Sequence, residues 1–161
     1  MSQIRNKIIL NLILTFSIFA ILAAYFIQYV LGHQPCNLCL IERIPYVFSI
    51  LIISICLFTK RFEKIVLITL SLTFLCAALL SFYHFGIEQG FIKESLVCEL
   101  NDLKNELSKE ALLNQLKEVP ISCKDVTFKI FGLSLATFNI FVSIILSVTT
   151  IKIFFNYEKN K

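Results

Sequence analysis

The chain alternates between long uncharged apolar stretches and short charged ones. Four segments contain no Asp, Glu, Lys or Arg: Ile8–Gly32, Ile44–Thr59, Ile65–Ile87 and Ile130–Ile151. A bilayer core of about 30 Å requires roughly 20 apolar residues in helical conformation. Three of the segments reach that length directly. The second reaches it when extended back to Leu40, which brings Glu42 and Arg43 in near one end, where a long arginine side chain can snorkel to the interface. The pattern predicts an all-α membrane protein, a four-transmembrane-helix bundle forming a single domain over residues 1–161. Its helices are expected at about 8–32, 40–59, 65–87 and 130–155, with two outer loops at about 33–39 and 88–129.

The first segment begins with Arg5 and Lys7, as a secretory leader does. It is far longer than a leader's apolar region of about 7–15 residues, and no small-residue cleavage site follows, so it is expected to stay as a helix. The 161 residues are 57% hydrophobic and only 16% charged, below the roughly one quarter of a soluble domain. The net charge of +4 matters through its placement. With both termini inside, the short inner segments carry Arg5, Lys7, Lys60, Arg61, Lys64, Lys152, Lys159 and Lys161 against Glu63 and Glu158 alone. This is the positive-inside distribution, so the basic balance reports topology and not a nucleic-acid partner. Within the long outer loop, Leu100, Leu103, Leu107, Ala111 and Leu116 fall near one helical face and Pro120 ends the pattern. That predicts an amphipathic helix lying on the protein or in the membrane interface.

Six cysteines change the picture from a plain membrane span to candidate chemistry. On this topology Cys36, Cys39, Cys98 and Cys123 lie outside, where disulfides form, and they allow three pairings. Cys56 and Cys76 fall within helices and read as small apolar filler. Cys36 and Cys39 form a C-x-x-C in "PCNLCLIERIPY", residues 35–46. A helix beginning there would place both sulfurs at its positive end, which favours a thiolate. Arg43, four residues after Cys39, would add a fixed charge and could hold a ligand oxygen, whereas Glu42 would act against the thiolate. Pro45 clashes inside such a helix, so either the helix kinks or its regular part starts near Ile44. Zinc would need two further ligands, and with His33 the only nearby histidine and no second C-x-x-C, no metal site is expected. A four-residue loop gains little from a staple, which makes the pair a better redox switch than a brace. Cys98 and Cys123 bracket the amphipathic segment, as a staple or as a second redox-active pair. His84 ends the third apolar segment, as an interfacial histidine or a functional one. Tyr25, Tyr46 and Tyr83 fit an aromatic belt.

These residues resemble the disulfide bond formation protein B (DsbB) family. "PCNLCLIERIPY" is similar to that family's P-C-x-x-C-x-x-[EQ]-R-x-P-[YH] signature, and the likeness extends to the outer cysteine pair, "YHFGIEQG" and "FGLSLATFN" (Phe131–Asn139). The resemblance implies a protein-dithiol:quinone oxidoreductase of the bacterial inner membrane, with both termini cytoplasmic and the outer loops periplasmic. It would reoxidise a periplasmic DsbA-type thioredoxin-fold protein and pass two electrons to ubiquinone or menaquinone. By position, Cys98 would form the mixed disulfide with the partner, Cys123 would pair transiently with Cys36, and Cys39 would meet the quinone. Arg43 would bind the quinone, assisted by His84. Relatives carry tryptophan around the fourth helix; here there is none, and Phe128 and Phe131 are the aromatic residues expected to replace it. Two other readings compete. A vitamin K epoxide reductase-like protein is disfavoured because its C-x-x-C sits near the fourth helix. A non-catalytic membrane protein with structural disulfides would hold them against mild reductant.

Overall fold

The computed structural model describes residues 2–59, 63–93, 123–124, 129–130 and 132–159. Its elements are α1 (Ser2–Tyr29), α2 (Asn37–Ile41), α3 (Ile44–Thr59), α4 (Glu63–Glu88), a hairpin of β1 (Lys129–Ile130) and β2 (Leu133–Ser134), and α5 (Leu135–Lys159). Four stretches are long and apolar enough to cross a membrane: Lys7–Tyr29, Asn37–Thr59, Glu63–Glu88 and Leu135–Asn156. The all-α four-helix bundle expected from the apolar pattern is therefore the observed architecture. The amphipathic stretch of the long loop and Cys98 lie outside the described residues.

The helices pair by burying narrow stripes. On α3 the buried positions are Tyr46, Ser49, Ile53 and Cys56, spaced three and four apart as one helical face requires. On α4 they run from Val66 and Leu67 through Leu70, Ser71, Phe74, Ala77, Ala78 and Ser81 to His84. The remaining faces carry large apolar side chains outward, such as Phe19, Leu51, Phe58, Leu79 and Phe141. Exposed residues of that size on every helix are what a lipid-facing surface needs. Packing is closest between α4 and α5 and between α1 and α3, while α1 and α5 barely touch. Small residues permit the approach of α4 to α5, and the hydroxyls tie the two together. Ser147 Oγ donates to the Ser71 carbonyl at 3.0 Å, and Ser71 Oγ donates to the Ser147 carbonyl at 3.3 Å. Ser17 and Ser49 link α1 to α3 in the same way at 3.1 Å.

Two element boundaries have physical reasons: the second span follows the alternative that Pro45 left open, a regular helix from Ile44, and the fourth differs from the sequence expectation. The second span is not one helix: α2 ends at Ile41, Glu42 and Arg43 form a turn, and α3 restarts at Ile44. Pro45 thus sits in the first turn of a new helix, where its missing N–H costs nothing and its ring meets no preceding turn. The fourth helix begins at Leu135 and not at 130, because residues 129–134 turn back as a hairpin with Gly132 at φ 81°. Ser134 then caps α5, accepting from the Thr137 N–H at 3.2 Å.

The outer end of α4 is closed by a Schellman motif. The Phe91 N–H donates to the Gly86 carbonyl at 2.9 Å and the Gly90 N–H donates to the Ile87 carbonyl at 2.9 Å. Gly90 holds φ at 76° with open space around its Cα, so a side chain there meets strain in the backbone alone. Ile92 folds back over Gly86, and its Cδ1 lies 2.6 Å from where a Cβ would stand. This cap fixes the turn of α4 that carries His84 and Glu88. Gly90→Ala is expected to cost about 1–2 kcal/mol, seen as a lower unfolding midpoint in detergent; an unchanged midpoint would contradict the cap.

Candidate functional site

Cys36 is the N-cap of the one-turn helix α2, with extended backbone at φ −71° and ψ 168°. Its sulfur accepts from the Cys39 backbone N–H at 3.3 Å, and the two sulfurs stand 2.6 Å apart. The helix break that Pro45 enforces is what allows Cys36 to cap and Cys39 to lie on the following turn. Neither cysteine is in a disulfide. Cys123 is disulfide-bonded. It packs in one buried cluster with Cys36, Leu38 and Ile87.

Behind Cys36 lies a buried polar chain. His84 Nε2 is 3.5 Å from the Cys36 sulfur, and Nδ1 is 2.9 Å from Glu42 Oε1. His84 is 2% and Glu42 8% exposed. Glu88 Oε1 stands 3.7 Å from Nε2. The other Glu42 oxygen, Oε2, accepts from Asn139 Nδ2 at 3.1 Å. Asn139 Nδ2 also donates to Ser81 Oγ at 2.8 Å, while its Oδ1 accepts from the Tyr46 hydroxyl and from Ser143 Oγ. A buried carboxylate without partners would be prohibitive; Glu42, His84 and Asn139 each have theirs, while Glu88 Oε2 is buried without a hydrogen bond among the described residues.

Cys36 lies outside the membrane spans and is set up as a thiolate. The Cys39 thiol donating to it is the largest downward influence, joined by His84, and together they outweigh burial and bring it from the usual 9.0 to about 5. Glu42 faces His84.

A cavity of about 260 Å³ opens beside the thiols. Its walls are α1 on one side, through Phe16, Ala20, Ala23, Ala24 and Ile27, and α5 on the other, through Leu135, Ala136, Phe138, Asn139 and Val142. Cys36, Cys39, Glu42, Arg43, Tyr46, His84, Glu88 and Cys123 line its polar end. The structure thus brings Cys36, Cys39, Cys123, Arg43 and His84 to one cavity, and Cys98 lies outside the described residues. Arg43 is held from α1: Nη1 donates to Gln28 Oε1 at 2.8 Å and the guanidinium lies over the Tyr25 ring at 5.2 Å. Three metal-capable donors, on Cys36, Cys39 and His84, lie within 4.8 Å of one another. Two thiolates on one tetrahedral zinc, each at about 2.3 Å, would sit about 3.7 Å apart, so the 2.6 Å sulfur spacing suits a pair that closes as a disulfide better than a metal.

Several residues of the site were not singled out from sequence. Tyr46 is not a belt residue; it is buried at the centre of the site. Asn139 carries a signal in the sequence: it is the one amide in the fourth uncharged segment, and an amide at membrane depth needs partners. The cavity aromatic on α5 is Phe138, while Phe128 and Phe131 lie outside the described residues.

The thiolate assignment has a direct consequence. In reduced protein, alkylation of Cys36 should rise with a midpoint near pH 5 and stay level from pH 7 to 9. Since the folded value lies below the unfolded one, this ionisation stabilises the reduced fold fully above about pH 9 and no longer below about 5. A midpoint near 9, followed by mass spectrometry of the Cys36 peptide, would contradict it.

The comparisons with known proteins agree with this geometry. The family model for disulfide bond formation protein DsbB matches residues 6–153. An uncharacterized protein of Rickettsia prowazekii (strain Madrid E) is 33% identical over 159 residues, covering 98% of this chain and 92% of the relative. No solved structure matches the chain. A match that takes in all four spans and the whole thiol cavity fixes the family: the chain belongs to the disulfide bond formation protein DsbB family, and is a multi-pass membrane oxidoreductase of disulfide-bond formation.

Proposed function

We propose that the protein is a dithiol oxidase that joins a periplasmic thiol donor to a quinone in the membrane. The observation that carries this reading is the shared cavity. Its polar end holds the Cys36–Cys39 pair, and its apolar walls are two helices that barely touch each other. A lipid-soluble acceptor can reach the thiols there without crossing water. Ubiquinone or menaquinone fits such a seat: a flat ring beside Cys39 and Arg43, with small alanines of α1 leaving room for it.

The cycle balances as follows. A reduced DsbA-type protein of thioredoxin fold gives up two thiol protons and two electrons. Its thiolate attacks the loop disulfide, which we assign to Cys98 and Cys123, and leaves as an oxidised disulfide protein. The Cys123 thiolate attacks Cys36 of an oxidised Cys36–Cys39 pair, and Cys39 leaves as a thiolate. Cys98 then displaces Cys36 from Cys123, restoring the loop disulfide. The resulting Cys36–Cys39 dithiol closes to a disulfide by giving two electrons to the quinone substrate, which takes up two protons and leaves as quinol. Arg43, held by Gln28 and Tyr25, offers a fixed cation to a quinone oxygen. The packing of Cys123 against Cys36 supports the thiol exchange step.

An external acceptor is needed on energetic grounds. A DsbA-type dithiol has a potential near −120 mV, so an ordinary protein disulfide is too weak an oxidant to turn it over repeatedly. The topology assigned with this function places both termini in the cytoplasm and the thiol end at the periplasmic face of the bacterial inner membrane. The basic inner turn and termini support that placement.

The test is turnover of purified protein in detergent with a reduced DsbA-type protein and a soluble quinone analogue, read by quinone absorbance. Wild type should turn over and Cys39→Ser should not. No turnover in wild type, with the outer cysteines resistant to mild reductant, would leave a structural role for the disulfides in place of this one.

A further inference from the structure

We propose that Asn139 is a positioning residue of the thiol chemistry: it holds the Glu42 carboxylate against His84 and so presents His84 Nε2 to Cys36. The inference rests on the reading of Cys36 as an exchanging thiol and adds the control of its proton.

The hydrogen-bond inventory of the amide leaves little freedom. Asn139 Nδ2 has two hydrogens, given to Glu42 Oε2 at 3.1 Å and Ser81 Oγ at 2.8 Å. Its Oδ1 receives two, from Tyr46 and from Ser143 Oγ at 3.3 Å. An ionised carboxylate accepts only, so the amide nitrogen must face Glu42 and the oxygen must face Tyr46. Four bonds reaching Glu42 itself, Tyr46 of α3, Ser81 of α4 and Ser143 of α5 therefore set the place of Glu42, which sits on the turn between α2 and α3.

Glu42 in turn decides the state of the ring. With Oε1 at 2.9 Å from Nδ1, that nitrogen carries a proton, which leaves Nε2 to face the Cys36 sulfur and to hold the proton that the thiol gives up. When the Cys36 S–H bond breaks, the proton goes to Nε2 and the sulfur keeps the electron pair; nothing is oxidised or reduced in that step. Among the described residues, the charged and titratable groups facing the ring are Cys36, Glu42 and Glu88, with Cys39 next to Cys36. Without Asn139, Glu42 Oε2 loses the donor the amide supplies, and the buried carboxylate must turn away or take up a proton. Either change removes the anion that orders Nδ1.

The test reads the ring directly. The chain has two histidines, so ¹⁵N-histidine-labelled protein in detergent gives two imidazoles, separated by a His33→Gln spectrum. In reduced wild type, His84 should carry a proton on Nδ1. In Asn139→Ala that preference should be lost, and the alkylation midpoint of Cys36 should rise by about one pH unit, a roughly tenfold slower reaction at a pH below the midpoint. Ser147→Ala, which loosens the same α4–α5 pair away from the site, should change neither. A bare Nδ1 in wild type overturns the proposal, as does an Asn139→Ala protein that matches wild type in both readings. Asn139→Ser, which keeps a hydroxyl too short to bridge, stands in if the alanine variant does not fold; failure of both to fold gives Asn139 a purely structural role and also overturns it. Failure of the oxidase reading would appear separately, as absent quinone turnover with these imidazole signals unchanged.

Discussion

Glu42 and His84 meet at 2.9 Å at one end of a bundle whose core is otherwise built mainly of apolar side chains. Placing a carboxylate and an imidazole there is costly unless every lone pair and proton is met. The surroundings meet them from all sides. α4 supplies His84 and Ser81, α3 supplies Tyr46, and α5 supplies Asn139 and Ser143. The outer ends of these three helices are therefore held in one relative position by a single polar cluster. Cys36 and the cavity take their geometry from it.

The rest of the bundle is built so that this end can be specific. In lipid, apolar side chains gain little by turning inward, so helices associate through close packing and hydrogen bonds. The Ser17–Ser49 and Ser71–Ser147 contacts lock two helix pairs, α1 with α3 and α4 with α5. The weak contact between α1 and α5 is the exception, and the cavity lies along it. A gap there is inexpensive because lipid or a lipid-soluble ligand can fill it. The break at Glu42–Arg43 serves the same end: it lets a proline restart the helix and lets a cysteine cap the turn before it.

Much of this was legible in the sequence because membranes impose coarse, periodic constraints. Uncharged length gave the four helices, and the C-x-x-C with Arg43 and Pro45 marked the thiol end. The stripe Tyr46, Ser49, Ile53 and Cys56 follows helical spacing, but spacing alone could not say which polar members meet across helices. Tyr46 therefore reads as a belt residue, and Asn139 reads only as the last residue of the Phe131–Asn139 motif. Glu42 was judged by its distance along the chain from Cys39, whereas its actual partner is 42 residues away on α4. The start of the fourth helix was misplaced for a similar reason. Residues 130–134 are as apolar as a helix, and only Gly132 and the capping Ser134 mark the hairpin before it.

The central claim is that electrons reach the membrane cavity by exchange between Cys123 and Cys36. The most direct test uses Cys98→Ser protein whose Cys36–Cys39 pair has been oxidised by a quinone analogue, alkylated in acid and digested. With Cys98 absent, nothing displaces Cys36 from Cys123, and the account predicts a peptide linking Cys36 to Cys123 with Cys39 recovered as the alkylated thiol. Cys123 recovered only as the alkylated thiol, with Cys36 still joined to Cys39, would contradict it.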